Sequence, residues 1–318
     1  MHYREVDLTR VRTVPVGNRP TKVDTSLLAS VPGSDRSFHA FIDSLPDVLA
    51  ARNLRLLAAA IAHAKKQQRG VLFLIGGHVA KVGLGPLVVE WLRRGVVTHV
   101  ALNGAAAIHD FELAAFGQTS EDVESGLADG SFGMAEETGA AMNQAASHAA
   151  GSDLGLGEGL ADALSRCGAL PGAEASILLG AREAGVPITV HVALGSDVIH
   201  QHPAADGAAL GATSHRDFKR LAASLSNLHE GGVVINLGSA VVLPEVFLKA
   251  LSVARNLEEG RPTGFVAADF DMQRHYRPRV NVVERPTRPS GIGIQITGHH
   301  EIMFPLLTWA VFDRLDAI

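Results

Sequence analysis

The apolar positions of this chain fall into two patterns that alternate along its length: short unbroken runs, and stretches that repeat every three to four residues. Val71 to Ile75 (VLFLI) is an unbroken run of strand length, closed by Gly76-Gly77. Leu84 to Arg94 then carries apolar residues at Leu84, Leu87, Val88, Trp91 and Leu92, the spacing of one helical face, and Gly95 ends it. Val96 to Leu102 is a second strand-like run that stops at Asn103-Gly104. Two strands with a helix between them form a βαβ unit, which predicts parallel pairing. The pattern returns in the second half. Pro187 to Leu194, Gly232 to Leu237, Thr263 to Phe270 and Gly291 to Thr297 read as strands. Ala204 to Leu228, Leu243 to Asn256 and Ile302 to Leu315 read as helices. Six strands alternating with helices predict an α/β fold, a doubly wound and mainly six-stranded parallel sheet with helices on both faces.

The intervening segments are polar or helical. Phe38 to Ala64 has helical spacing and is divided in two by Pro46, because proline disrupts a helix interior. Lys65 to Arg69 is a basic helix end, favourable against the helix dipole. Asp110 to Phe116 reads as a short helix, Thr119 to Leu127 as a surface helix capped by Ser120, and Ser131 to Ala150 as an alanine-rich helix. Leu160 to Leu164 and Glu174 to Ala184 are two more. The glycine-rich break Gly151 to Gly159 follows a helix, whereas a phosphate-binding loop follows a strand, so it reads as a connection. Residues 1–40 contain Pro15, Pro20 and Pro32 and read as an N-terminal arm; no linker divides 41–318, which reads as a single α/β domain.

Composition narrows the classes. A hydrophobic content of 47% over 318 residues supplies a large core. A net charge of −5 with no basic block gives nucleic acid no electrostatic footprint. A single cysteine, Cys167, excludes an internal disulfide and any multi-cysteine metal site. No apolar run reaches the length of a membrane span, and the N-terminus has no apolar signal region. A cytoplasmic protein with no membrane partner is the expectation.

The candidate chemistry gathers where the predicted strands end. Each ends in a small residue followed by polar ones: His78; Asn103 with His109 and Asp110; Asp197 with His200 and His202; Ser239; Asp269 with Asp271; and His299 with His300 and Glu301. In a parallel sheet these ends lie on one side, where ligands bind. Neither GxGxxG nor GxSxG is present, so the ordinary Rossmann fingerprint and the serine-hydrolase elbow are both absent. His200, His202 and Asp271 make an alternative zinc or iron set, and with it a metal-dependent hydrolase or lyase. Glu245, just after the GSAVVLP turn, is a candidate general acid or base. The loop from Asp271 to Ser290 carries five arginines, suited to an anionic substrate or a subunit contact.

Several of these stretches resemble the deoxyhypusine synthase family, from about Leu54 to the C-terminus. IQITGHHEIMFPLLTWAVF resembles the family's last strand and helix. GGVVINLGSAVVLP resembles its glycine turn, and FLIGGHVAKVGL with THVALNGAAAIHD resembles its first two strand-turn units. NGAAAIHDFE also resembles a stretch of NAD-dependent ornithine cyclodeaminase modules. The resemblance implies a six-stranded parallel sheet, NAD at the strand ends and a homo-oligomer, dimer or tetramer. Carried across, the cofactor contacts fall at His78, Asn103, Gly104, Ala105, His109, Gly195, Ser196, Asp197, Ser239, Asp269, His299 and His300. The family's catalytic lysine falls at Pro286 and its tryptophan at Glu284, and no lysine follows Lys249, so a lysine imine lacks its usual residue. The expectation is therefore an NAD-binding enzyme acting on a small amino compound by transient hydride transfer, of transferase or cyclodeaminase type, other than deoxyhypusine synthesis. Asp110, His200, Glu245 and Glu301 are its candidates for substrate binding and proton transfer. A non-catalytic nucleotide-binding protein is the remaining alternative.

Overall fold

β1 (Val71–Ile75) is buried along its whole length, as a strand is only inside a sheet covered on both faces. It pairs in parallel with β2 (His99–Asn103) on one side and β4 (Val233–Leu237) on the other. β3 (Ile188–His191) joins β2, β5 (Val266–Asp271) joins β4, and β6 (Ile292–Thr297) joins β5, every pair parallel. The six-stranded order is β3-β2-β1-β4-β5-β6. The chain thus builds outward from β1, returns to the centre and builds outward the other way. Its direction reverses between the carboxyl ends of β1 and β4, the place where open α/β sheets bind their ligands. The computed structural model of the protein describes residues 2–316.

Helices supply every crossover. α1 (Phe38–Ser44) and α2 (Leu49–Lys66) precede β1, and α3 (Gly77–Lys81) and α4 (Gly85–Arg93) lead to β2. The long excursion from β2 to β3 holds α5 (Gly104–Phe116), α6 (Val123–Asp129), α7 (Glu136–Gly151), α8 (Leu156–Arg166) and α9 (Ile177–Ala184). α10 (Gly207–Ser224) returns to β4, and α11 (Val242–Leu257) leads to β5. A π-helical segment, Pro278–Glu284, with the short α12 (Arg285–Thr287), leads to β6; α13 (His300–Asp316) closes the chain. No helix among the described residues is long and apolar enough to cross a membrane.

Strand alternation divides the core in two. Val71, Phe73 and Ile75 face one layer with Val100, Leu102, Ile235 and Phe270, against α2, α4, α5, α8, α9 and α13. Leu72 and Leu74 face the other with Ala101, Val234 and Ala267, against α10 and α11. Trp91 anchors the first layer, packed on Phe73 and Phe304, and donates its indole N–H to Thr308 Oγ1 at 2.9 Å. The second layer holds polar groups at the β2–β3 end. His99, Thr189 and Ser224 form a buried chain, with His99 Nδ1 2.8 Å from Ser224 Oγ and Nε2 3.0 Å from Thr189 Oγ1. His191 Nε2 lies 3.0 Å from the same threonine hydroxyl.

Several local expectations are corrected. β2 starts at His99, because Val96 and Val97 are packed against the first core layer before the strand begins. α5 starts at Gly104, since Asn103 accepts from Ala106 N–H and caps it directly at the strand end. The 119–127 helix is shorter, Val123–Asp129, and its cap is Asp122; Ser120 instead takes a left-handed φ of 69°. The arginine-rich loop contains the π-helical segment, in which Val280, Asn281, Val282 and Val283 are buried. The glycine-rich break does hold a carboxyl group, and it is the protein's own. Asp217 accepts from Gly157 N–H at 2.9 Å, and a Cβ on Gly155 would sit 1.7 Å from its Oδ1.

Candidate functional site

The two turns at the reversal point touch. A Cβ on Gly76 would lie 2.2 Å from Gly238 O, and one on Gly238, whose φ is +69°, would lie 2.8 Å from His300 Nε2. The backbones of the two turns therefore pack directly on each other, which only glycine permits. His78, in α3, meets His300, at the start of α13, ring to ring at 5.6 Å. His300 is buried; its Nε2 donates to Phe270 O at 3.1 Å and its Nδ1 has no partner among the described residues. Burial and the nearby His78 lower its pKa, against the Asp271 charge and the Phe270 hydrogen bond. Beside them Asn236 donates to Ser239 O at 3.1 Å and to Asp269 Oδ1 at 2.8 Å. Ser239 Oγ accepts from Leu243 N–H at 3.2 Å, which ties the β4 turn to α11. Burial pushes the Asp269 carboxyl up to about 6.

The β2 and β3 ends make the other half. Gly104 opens α5 against Asp197: a Cβ there would lie 2.1 Å from Asp197 Oδ2. That carboxylate occupies the positive end of α5, and desolvation raises its pKa to about 6. Gly195, at φ +89°, and Ser196, which donates to Ala193 O at 2.8 Å, form the turn that aims it. His200 Nδ1 accepts from Gly195 N–H at 3.1 Å, and Nε2 stands 3.8 Å from Asp197 Oδ2. Both facing atoms are buried without a hydrogen bond. A cavity of about 200 Å³ opens beside Asp197, lined by Lys81, Ala105, His109 and Phe132 among others. His109 Nδ1 is 2.8 Å from Thr119 Oγ1, which donates to Glu112 Oε2 at 2.5 Å; Thr138 Oγ1 donates to Glu112 Oε1 at 3.0 Å. Burial first, and Lys81 second, lower the His109 pKa to about 4, so the ring is neutral near pH 7.

Other predicted residues lie elsewhere or are already engaged. Asp110 is buried, and both its oxygens fasten α9: it accepts from Ile177 N–H at 2.6 Å, Leu178 N–H at 3.0 Å and Ser176 Oγ at 2.8 Å. Desolvation outweighs those bonds and holds its pKa at about 6. Glu245 is tied to Lys249, to Arg277 at 3.2 Å and to Asn281 at 2.9 Å; Lys249 leads in holding its pKa below the usual range. Glu301 and His299 lie 3.8 Å apart with half or more of His299 exposed. The alternative metal set is not assembled. His200 and His202 follow β3 and Asp271 ends β5, four strand spacings away, roughly 19 Å. His202 packs instead on Gly139 of α7. Among the described residues no group of three or more His, Cys, Asp or Glu is placed to hold a metal ion. Glu112, Thr119 and Asn236 went unread in the sequence. The first two lie beyond the strand end, and Asn236 is inside a strand where an apolar residue is the rule.

The arrangement is that of an open, doubly wound α/β protein whose site is built from strand-end turns. No family model matches the chain and no curated protein matches it in sequence. Solved structures resemble it in fold. AgrE in its ternary complex with ornithine and NAD+ is 13% identical with a TM-score of 0.52, over 84% of this chain and 34% of that one. A LOR/SDH protein from Methanococcus maripaludis S2 is 16% identical, TM-score 0.49, over 89% and 72%. A protein assigned as deoxyhypusine synthase from Entamoeba histolytica is 10% identical, TM-score 0.49, over 89% and 97%. At these identities the likeness is one of fold, carried by AgrE, and the chain spans about a third of the AgrE length.

Proposed function

We propose that this chain is an NAD-binding enzyme that acts on a small amino compound by transient hydride transfer, in a reaction other than deoxyhypusine synthesis. The observation that carries the reading is the reversal of a β3-β2-β1-β4-β5-β6 sheet, the strand order of dinucleotide-binding folds, with the glycine turns at Gly76 and Gly238 meeting at the reversal point. The residues present fit the cofactor. His300 Nδ1 and Asn236 Oδ1 are buried polar atoms without partners among the described residues, beside the two glycine turns. His78, Ser239, Asp269, His299 and His300 would hold it at the ends of β1 and β4–β6, and Asn103 to Ala105 with Gly195 and Ser196 on the β2–β3 side, while His109 and Asp197 line the cavity and would face the substrate. Bound NAD supplies hydride acceptance and return. The chain's own groups bind and orient the substrate. The buried Asp197 carboxylate meets an amine, and His200, close by, is a candidate for moving its proton. The AgrE complex with ornithine and NAD+ supports the pairing of cofactor and amino compound. Pro286, at the position of the family's lysine, is buried with its carbonyl bonded to Arg255 at 2.7 Å, which supports a different reaction.

The test is direct. Purified protein is denatured, the released small molecules are identified by mass spectrometry, and the refolded or cofactor-free chain is titrated with NAD+ and NADH by calorimetry. Release or saturable binding of either is expected. Absence of both sinks the reading.

A further inference from the structure

We propose that Thr119 and Glu112 are positioning residues that hold His109 with its proton on Nδ1, leaving Nε2 as acceptor for an N–H or O–H donor of the molecule bound beneath residues 118–135. The assignment follows from counting protons. A threonine hydroxyl has one, and Thr119 gives it to Glu112 Oε2 at 2.5 Å. Its 2.8 Å contact with His109 Nδ1 must then run the other way, with the ring donating. Thr138 donates to the second oxygen of Glu112 at 3.0 Å, so the carboxylate is braced from both sides and cannot turn away. A histidine whose one nitrogen is committed as donor presents the other as acceptor.

The backbone makes this contact possible. His109 and Glu112 stand one turn apart on α5, and Gly117, in the left-handed conformation at φ +72°, ends the helix and turns the chain back. Thr119 thereby returns over the helix it has just left. The opposite edge of the imidazole faces the β1 turn: a Cβ on Gly77 would lie 3.2 Å from His109 Cδ2. Nε2 has no hydrogen-bond partner among the described residues, and the ring lines the cavity with Asp197. Residues 120, 121 and 123, all exposed, line the same cavity with 132. The segment that covers the ligand thus also sets the histidine that receives it. The identity of the ligand as an amine rests on the function proposed above; the tautomer does not.

The test uses the full chain labelled with 15N-histidine, read by two-bond correlation of the ring nitrogens with the carbon-bound ring protons, which separates protonated from bare nitrogens. The expected result is a protonated Nδ1 and a bare Nε2 for His109. Thr119→Val removes that preference, and Thr119→Ser, which keeps the hydroxyl, restores it. Glu112→Gln, which keeps the size, leaves one acceptor oxygen for two threonine hydroxyls, loosens the order of Thr119 and gives a mixed tautomer. L-ornithine in the presence of NAD+ serves as the ligand probe. It should move the wild-type Nε2 resonance and bind about tenfold more weakly to Thr119→Val, the loss expected of one oriented hydrogen bond. A proton on Nε2 in the wild type, or a tautomer unmoved in both Thr119→Val and Glu112→Gln, overturns the inference. So does probe binding that shifts every resonance but that of His109. A chain that binds neither NAD+ nor L-ornithine counts against the proposed function alone, because the tautomer is read without them.

Discussion

Burial moves the acids and the imidazoles of this sheet in opposite directions, and each direction has its own pH window. Desolvation raises the Asp217 carboxyl to about 7 from an ordinary 3.8. Between those values the native chain keeps a proton the unfolded chain has released, so this group makes stability fall as pH rises. His99 is fully enclosed and its pKa drops to about 3 from 6.5, with desolvation first and His191 second. Between those values the unfolded chain holds the extra proton, so this group makes stability fall as pH drops below about 6.5. His191 adds to the same acid-side loss. His99→Gln keeps a donor and an acceptor for Ser224 and Thr189 but cannot be charged. We expect its urea midpoint to fall less than that of the wild type between pH ~7.5 and ~5. Parallel falls in the two proteins would show that His99 is not the group titrating.

At the scale of elements, the close approach of the β1 and β4 turns is the most exposed to test. Gly76→Ala forces its methyl into Gly238 O, which the backbone can relieve only by parting the two turns. A loss of about 1–3 kcal/mol is expected in denaturant unfolding, together with weakened NAD+ binding in calorimetry. Phe73→Ala, which empties the centre of the first core layer beside Trp91, should cost about 3–5 kcal/mol by the same unfolding measurement. These elements also show what the sequence could disclose. VLFLI is a strand because burial on both faces leaves no polar position, and that pattern is local; GVVINL admits the buried Asn236, and GIGIQIT, at the sheet edge, is exposed at Ile292, Gly293 and Thr297. The partners of Thr119 are not local in pattern: a carboxylate at Glu112 and a hydroxyl at Thr138 converge only after Gly117 reverses the chain. Asp110 looked free because its position follows a strand, yet the N–H groups that claim it belong to α9, more than sixty residues on. Strand-end position identified the edge where the site lies; which strand-end side chains remain unclaimed depended on helices arriving from elsewhere in the chain.

In the whole molecule, residues 2–26 contribute no buried or half-buried side chain, and Tyr3, Val6, Leu8 and Val11 are more than 60% exposed. The first backbone tie to the rest of the chain is Leu27 O, which accepts from Asp47 N–H. We propose that this arm is separable from the α/β body. Deleting residues 2–24 should leave the melting temperature within roughly 2 °C, the shift that about 1 kcal/mol produces in a chain of this size. A larger drop would mean that the arm packs on something, in this chain or a second copy.

Asp217 has a further consequence at the margin of the sheet. β3 is an outermost strand, and such a strand normally offers a row of idle N–H and C=O groups to any extended peptide that meets it. Here Val190 N–H goes to Asp217 Oδ2 at 2.8 Å and Val190 O to the Ser214 hydroxyl at 3.1 Å, both from α10. Val192 N–H goes to the same serine at 3.2 Å. The helix thus occupies the place a seventh strand would take, and it does so with side chains. Protein carrying Asp217→Ala and Ser214→Ala together would be folded but open-edged, and we expect it to associate into sheet-rich aggregates that light scattering detects at concentrations where the wild type stays clear.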